Sequence, residues 1–215
     1  MNLVDPEGES TYVVEEGIDR YSVVDGGDPD DGDDNIYVVT IDSEGNIQRG
    51  RSIGRSATPY SFYDSTKSGW KAIPAYIDLT DDSAFRFTDY FVDNDISLLD
   101  YIRKARNYGL FDFKETNFDE NEVGIHHEEP HKYRGMPISR GKKPIIASAR
   151  DVGNIVAGYM SADNHLRKDW DGKSVGIKKG NSYEGTKNVL GCLVGRYYHI
   201  DDQRIKYTKD YEKPA

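Results

Sequence analysis

Apolar residues along this chain come in short bursts separated by polar and glycine-rich stretches. Ile36-Tyr37-Val38-Val39-Thr40-Ile41 is rich in β-formers, and Ser43-Glu44-Gly45-Asn46 has turn chemistry. Ile47–Ile53 is predicted to return antiparallel, closing a hairpin. Ala75 to Leu79 is β-prone and ends at Thr80-Asp81-Asp82, which predicts a helix N-cap. From Ile96 the apolar residues Leu98, Leu99 and Ile102 fall at helical spacing up to a stop at Gly109. Leu110-Phe111-Asp112-Phe113-Lys114 alternates as a short strand does. Ser148 or Asp151 caps a predicted helix through Met160, with Val152, Ile155, Val156 and Tyr159 on its buried side. A further helix is expected over Glu184–Tyr198, with Val189, Leu190, Leu193, Val194 and Tyr197 inward. Residues 120–147 scatter Gly, Pro, His and Lys and read as one long functional loop. No repeat of solenoid type is present in the sequence.

Composition changes this picture at the N-terminus. Asp25 to Asp34 holds six aspartates, Asp25, Asp28, Asp30, Asp31, Asp33 and Asp34, interleaved with glycine and one proline, and lacks the apolar residues to build a core. It reads as an acidic linker. Spaced oxygen ligands of this sort also suit calcium, although the closing Glu of an EF-hand loop is missing. The 215 residues fit one domain with appendages or two small domains. Sixteen Tyr, seven Phe and two Trp exclude a wholly disordered chain. The single cysteine, Cys192, excludes an internal disulfide framework and any Cys-rich zinc site. No apolar run approaches the roughly 18 residues of a membrane span. Met1 to Pro6 has neither the basic start nor the apolar stretch of a signal peptide, so export would need another carrier.

Net charge is −10, unevenly spread. Residues 1–100 carry 7 Lys+Arg against 22 Asp+Glu, and residues 101–215 carry 21 against 16. An acidic half joined to a mildly basic one suggests two tasks, but the basic excess is too thin for a dedicated nucleic-acid binder.

Several side chains could carry chemistry. As a strand, 110–114 would put Asp112 and Lys114 on one face and the two phenylalanines on the other. A carboxylate between aromatics and an ammonium is a tunable acid or base, or simply a structural ion pair. Asp151 at a helix start is a cap or first-turn acid. Asn154 shares its face, and Gly153 between them costs helix stability while leaving room for a ligand. Glu184, in Asn181-Ser182-Tyr183-Glu184-Gly185-Thr186, is either a first-turn helix acid or a third active-site carboxylate. His127 and His131 stand at zinc spacing, but Pro130 interrupts a helix between them. His126 or His127 would serve an acid–base role in a nuclease, since histidine titrates near neutrality. Phosphate-loop, dinucleotide and Gly-x-Ser-x-Gly patterns are absent from the sequence. Cys192, within an apolar helical pattern, reads as a buried thiol.

Two resemblances bear on these residues. Asp5-Pro6-Glu7-Gly8 resembles the close of the motif that ends the Rhs repeat-associated core, beyond which a variable C-terminal toxin follows. Residues 108–205 resemble the polymorphic toxin type 44 family in patches. Phe111-Asp112-Phe113-Lys114 is similar to its Trp-Asp-Tyr-Lys element, with Phe111 in place of the Trp. Asp151-Val152-Gly153-Asn154, followed by Gly158-Tyr159, is similar to its Asp-Phe-Gly-Asn element. Glu184-Gly185-Thr186 and Asp201-Asp202-Gln203-Arg204-Ile205 resemble its later signals. The family was described as ribonucleases, and its elements also resemble those of secreted muramidases.

The resemblance implies an antibacterial effector toxin. Of the chemistries open to it, paired carboxylates favour a muramidase-like peptidoglycan hydrolase, with Asp112, Asp151 and Glu184 as catalytic candidates. Lys114, Asn154, Tyr159 and His127 would contact substrate. The alternatives are a metal-independent ribonuclease working through His126, His127, Glu128 and Arg134, or a non-catalytic binding module. No cofactor or metal is expected. Expected partners are a cognate immunity protein, peptidoglycan or RNA, and the parent Rhs shell with its secretion apparatus. Delivery into the periplasm of a target bacterium follows from that reading. The expected fold is α+β: the Rhs end and acidic linker at 1–35, a hairpin and helix region at 36–107, and a mainly α-helical toxin domain at 108–215.

Overall fold

The computed structural model describes residues 10–27, 32–69, 71–161, 197–201 and 204–208. The chain forms two compact units that do not follow chain order. One takes Met1–Asp82 and His127–Arg150, the other Ser83–His126 and Asp151–Ala215.

The first unit is a closed seven-stranded β-barrel. Its strands are β1 (Thr11–Gly17), β2 (Arg20–Asp25), β3 (Asn35–Ile41), β4 (Ile47–Ser56), β5 (Tyr76–Asp78), β6 (Gly135–Pro137) and β7 (Ile145–Ser148). Around the barrel they run β1-β2-β5-β6-β7-β4-β3, and β3 closes on β1. Pairing is antiparallel except for β1 with β3, β4 with β7 and β5 with β6. Closure removes the exposed sheet edges that such short strands would otherwise leave open to pairing.

Local chemistry explains most of these strands. In β2, Tyr21 and Val23 point inward at the period of two a strand imposes. They meet Val13, Ile36, Ile53, Phe62, Ile77 and Ile146 in the barrel core. The predicted β3–β4 hairpin forms with Ile41 opposite Ile47. Its turn is locked by Asp42, whose Oδ1 accepts the N–H of Glu44 at 2.9 Å and of Asn46 at 2.8 Å. Gly26, just past β2, is a site of close approach. A Cβ there would lie 2.3 Å from the Lys71 carbonyl oxygen and 2.5 Å from that of Phe62. Only glycine lets those backbone segments cross.

The second unit is organised by aromatic rings. Helix α1 (Ser83–Asp93) buries Ala84, Phe87, Thr88 and Phe91 at helical spacing. Phe87 stands 4.7 Å from Phe113 and 5.2 Å from Phe118, ring centre to ring centre, and Phe91 stands 4.9 Å from Phe111. Helix α2 (Leu98–Lys104) starts at Ser97, whose hydroxyl accepts the Asp100 N–H. Tyr101, on α2, stacks on Phe111. Helix α3 (Phe113–Thr116) is one turn, closed by Asn117 in the left-handed region. In the barrel unit, a single turn α4 (Glu129–Lys132) follows the stretch at 120–126. Helix α5 (Ala149–Ser161) begins directly after β7 and buries Val152, Ile155, Val156 and Met160. A two-stranded hairpin, β8 (Tyr197–Asp201) with β9 (Arg204–Thr208), ends the described chain.

Several expectations are overturned. The C-terminal part is not a mainly α-helical domain, because residues 135–148 supply two strands that close the barrel. Strands of three and four residues carry no readable periodicity, so 120–147 looked like a loop. The region assigned to Rhs end and linker holds β1 and β2. Asp112 and Lys114 are not on a strand but at the start of α3. The helix expected to reach Tyr198 gives way at its C-terminal end to β8, and the rest of it lies outside the described residues.

Candidate functional site

The short helix α3 gathers most of the ionisable side chains that matter. Phe113 and Thr116 are buried and pin the turn to the aromatic cluster. That leaves Asp112, Lys114 and Glu115 fixed by a backbone that cannot shift far. Asp112 stands at the N-cap position, although its side chain makes no cap hydrogen bond. Its Oδ1 lies 3.2 Å from Lys114 Nζ, and its Oδ2 accepts the Tyr108 N–H at 3.1 Å. The Asp112 side chain is 10% exposed while Lys114 is 44% exposed. Both carboxylate oxygens are therefore engaged. Burial, and after it the Asp112 carboxylate, pushes the Tyr101 phenol above its ordinary range.

Sequence reasoning missed Glu115. Its side chain is 4% exposed, yet Oε2 comes within 3.7 Å of Nδ1 of His126, which is 64% exposed. Glu115 lies within α3, three residues after Asp112 at its N-cap.

Tyr108 joins the two side-chain pairs. It is a non-glycine residue at φ 65°, a conformation that costs about 1–3 kcal/mol and persists where surrounding contacts enforce it. Its N–H is held by Asp112, its carbonyl accepts the Gly124 N–H at 2.9 Å, and its ring lies 5.4 Å from that of His126. One strained residue thus ties the Asp112–Lys114 pair to the Glu115–His126 pair.

The remaining sequence candidates fall in different places. Asp151 lies in the first turn of α5, where a carboxylate suits the helix dipole. Asn154 and Tyr159 are half-buried on the same helix. Gly153 does not leave open space for a ligand. A Cβ placed there would meet Phe113 Cβ at 3.9 Å, ordinary packing distance, so α5 meets α3 at that point. The structure therefore brings the Phe111–Lys114 and Asp151–Asn154 segments together. His127 belongs to the barrel unit, where its ring stacks on His131 at 3.8 Å, 18° from parallel. Pro130 opens the short helix α4 rather than interrupting a longer one. Glu184, Cys192 and the Rhs-like start at 5–8 lie outside the described residues. Among the described residues no group of three or more His, Cys, Asp or Glu side chains is placed to hold a metal ion. No described helix is long and apolar enough to cross a membrane.

Comparison with known proteins returns no matching family model, no matching curated protein and no matching solved structure.

Proposed function

We propose that this chain is the toxin module of an Rhs polypeptide and acts as a peptidoglycan hydrolase in the periplasm of a target bacterium. The observation that carries the reading is a pair of nearly buried carboxylates, Asp112 at the N-cap of α3 and Glu115 within it. Glycosidases work with one carboxyl group that donates a proton and a second that bears charge through an oxocarbenium-like transition state. Glu115, the more deeply buried, is the proton donor. Asp112, fixed by Lys114 and the Tyr108 N–H, supplies a preorganised negative charge. Asp151, on the helix packed against α3, is the second carboxylate of the catalytic pair with Glu115 and takes a proton from water, while Asp112 serves only as a fixed charge beside them. Asn154 and Tyr159 on α5 hold the sugar. A cognate immunity protein in the producing cell blocks the site until delivery.

A second reading has its own support. Glu115 with His126 offers the acid–base pair of a metal-independent ribonuclease, and Lys114 offers the cation. One experiment separates the two. The chain is expressed in a sensitive bacterium with and without an export signal, beside Glu115→Gln. Rounding and lysis only on export, abolished in Glu115→Gln, is the expected result. Growth arrest without export, with degraded RNA, refutes peptidoglycan as the substrate.

A further inference from the structure

We infer that His126 is a proton relay between solvent and Glu115, a role that rests on the hydrolase reading above. The Glu115 carboxyl is sealed at 4% exposure, and the exposed imidazole of His126 approaches it at 3.7 Å. That separation is one small movement from hydrogen-bond distance, and such contacts commonly tighten when substrate binds. The Tyr108 ring lies against the imidazole, and the Gly124 N–H bond to Tyr108 holds the neighbouring stretch of chain in place. An exposed histidine on a flexible loop would not need such bracing.

The chemistry requires a relay. In a single-displacement hydrolysis Glu115 gives its proton to the leaving oxygen as the glycosidic C–O bond breaks. Water bonds to the sugar carbon and loses a proton to the second carboxylate. Each turnover therefore leaves Glu115 without its proton and the other carboxylate with one extra. The second carboxylate releases its proton to solvent. His126 takes a proton from solvent and passes it to Glu115, which has little solvent contact of its own. His126 touches no substrate in this scheme and acts only through Glu115.

The test uses the full chain and its His126→Ala variant on purified peptidoglycan. The first turnover proceeds at the wild-type rate, because in this scheme the relay acts only to return the proton that Glu115 has given up. Later turnovers slow by about 100-fold, the scale of a lost proton-transfer step. Because the site of the missing ring is open to solvent, free imidazole added at millimolar concentration restores the steady rate. Wild-type steady turnover in the variant overturns the relay. So does loss of the first turnover with no response to imidazole, in a variant whose circular dichroism is unchanged. Wild-type protein that leaves peptidoglycan intact but cleaves RNA, with imidazole rescuing His126→Ala, overturns the glycosidase reading and leaves the Glu115–His126 relay standing.

Discussion

Removing the Phe87 ring should take away a large share of the stability of the second unit. The ring is fully buried and packs on four others, at 4.7 Å from Phe113, 5.0 Å from Phe91, 5.2 Å from Phe118 and 6.4 Å from Phe111. Phe→Ala in a packed core costs about 3–5 kcal/mol, from lost transfer energy and the cavity left behind. The upper part of that range applies here for two reasons. Each aromatic pair contributes about 0.5–1.5 kcal/mol beyond area burial. The cavity walls are also stiff rings anchored on separate segments, so collapse into the gap is poor. A loss near 4 kcal/mol compares with a total of about 5–15 kcal/mol for a typical domain. Phe87→Leu keeps most of the volume and should cost about 1–2 kcal/mol. Urea unfolding followed by near-ultraviolet circular dichroism is the assay. With a slope of about 1–3 kcal/mol per molar, Phe87→Ala should lower the midpoint by roughly 2 M. A shift no larger than that of Phe87→Leu would refute the claim that this cluster holds α3 in place.

Two further perturbations test other parts of the account. Gly26→Ala should prevent barrel formation, since the new Cβ meets two carbonyl oxygens at 2.3 and 2.5 Å and backbone cannot yield cheaply; soluble protein with native circular dichroism would contradict this. The raised Tyr101 phenol means the folded state holds that proton more tightly than the unfolded chain, which titrates near 10.0. Stability is then intact below about pH 10 and falls as pH rises beyond it toward the folded-state value. Urea midpoints at successive pH values should drop across that window in the native chain and less in Tyr101→Phe; equal drops would dismiss Tyr101 as the cause.

How much was legible in advance differs between elements. The β3–β4 hairpin was readable because its strands and its Asp42–Asn46 turn are local. Helix α5 was readable because its apolar residues repeat over three turns. The α3 site was half legible: Asp112 and Lys114 stood out by composition, and they do pair. Glu115 did not, because its burial arises only when α3 packs into the folded unit. His126 lies eleven positions from Glu115, beyond the reach of any helical or strand spacing.

By itself the sequence determined the elements whose signals lie within one hairpin or one helix, the uneven charge, and the exclusion of disulfide and Cys-rich zinc chemistry. Tertiary structure alone decided the closed barrel. Its closing strands β6 and β7 are three and four residues long and pair with segments up to 90 positions away in the chain, as Arg55 with Ile145, where no periodicity reaches. It also decided which carboxylate is sealed and which cation or imidazole faces it. Those properties arise from desolvation and distance, and both exist only once separate segments have packed together.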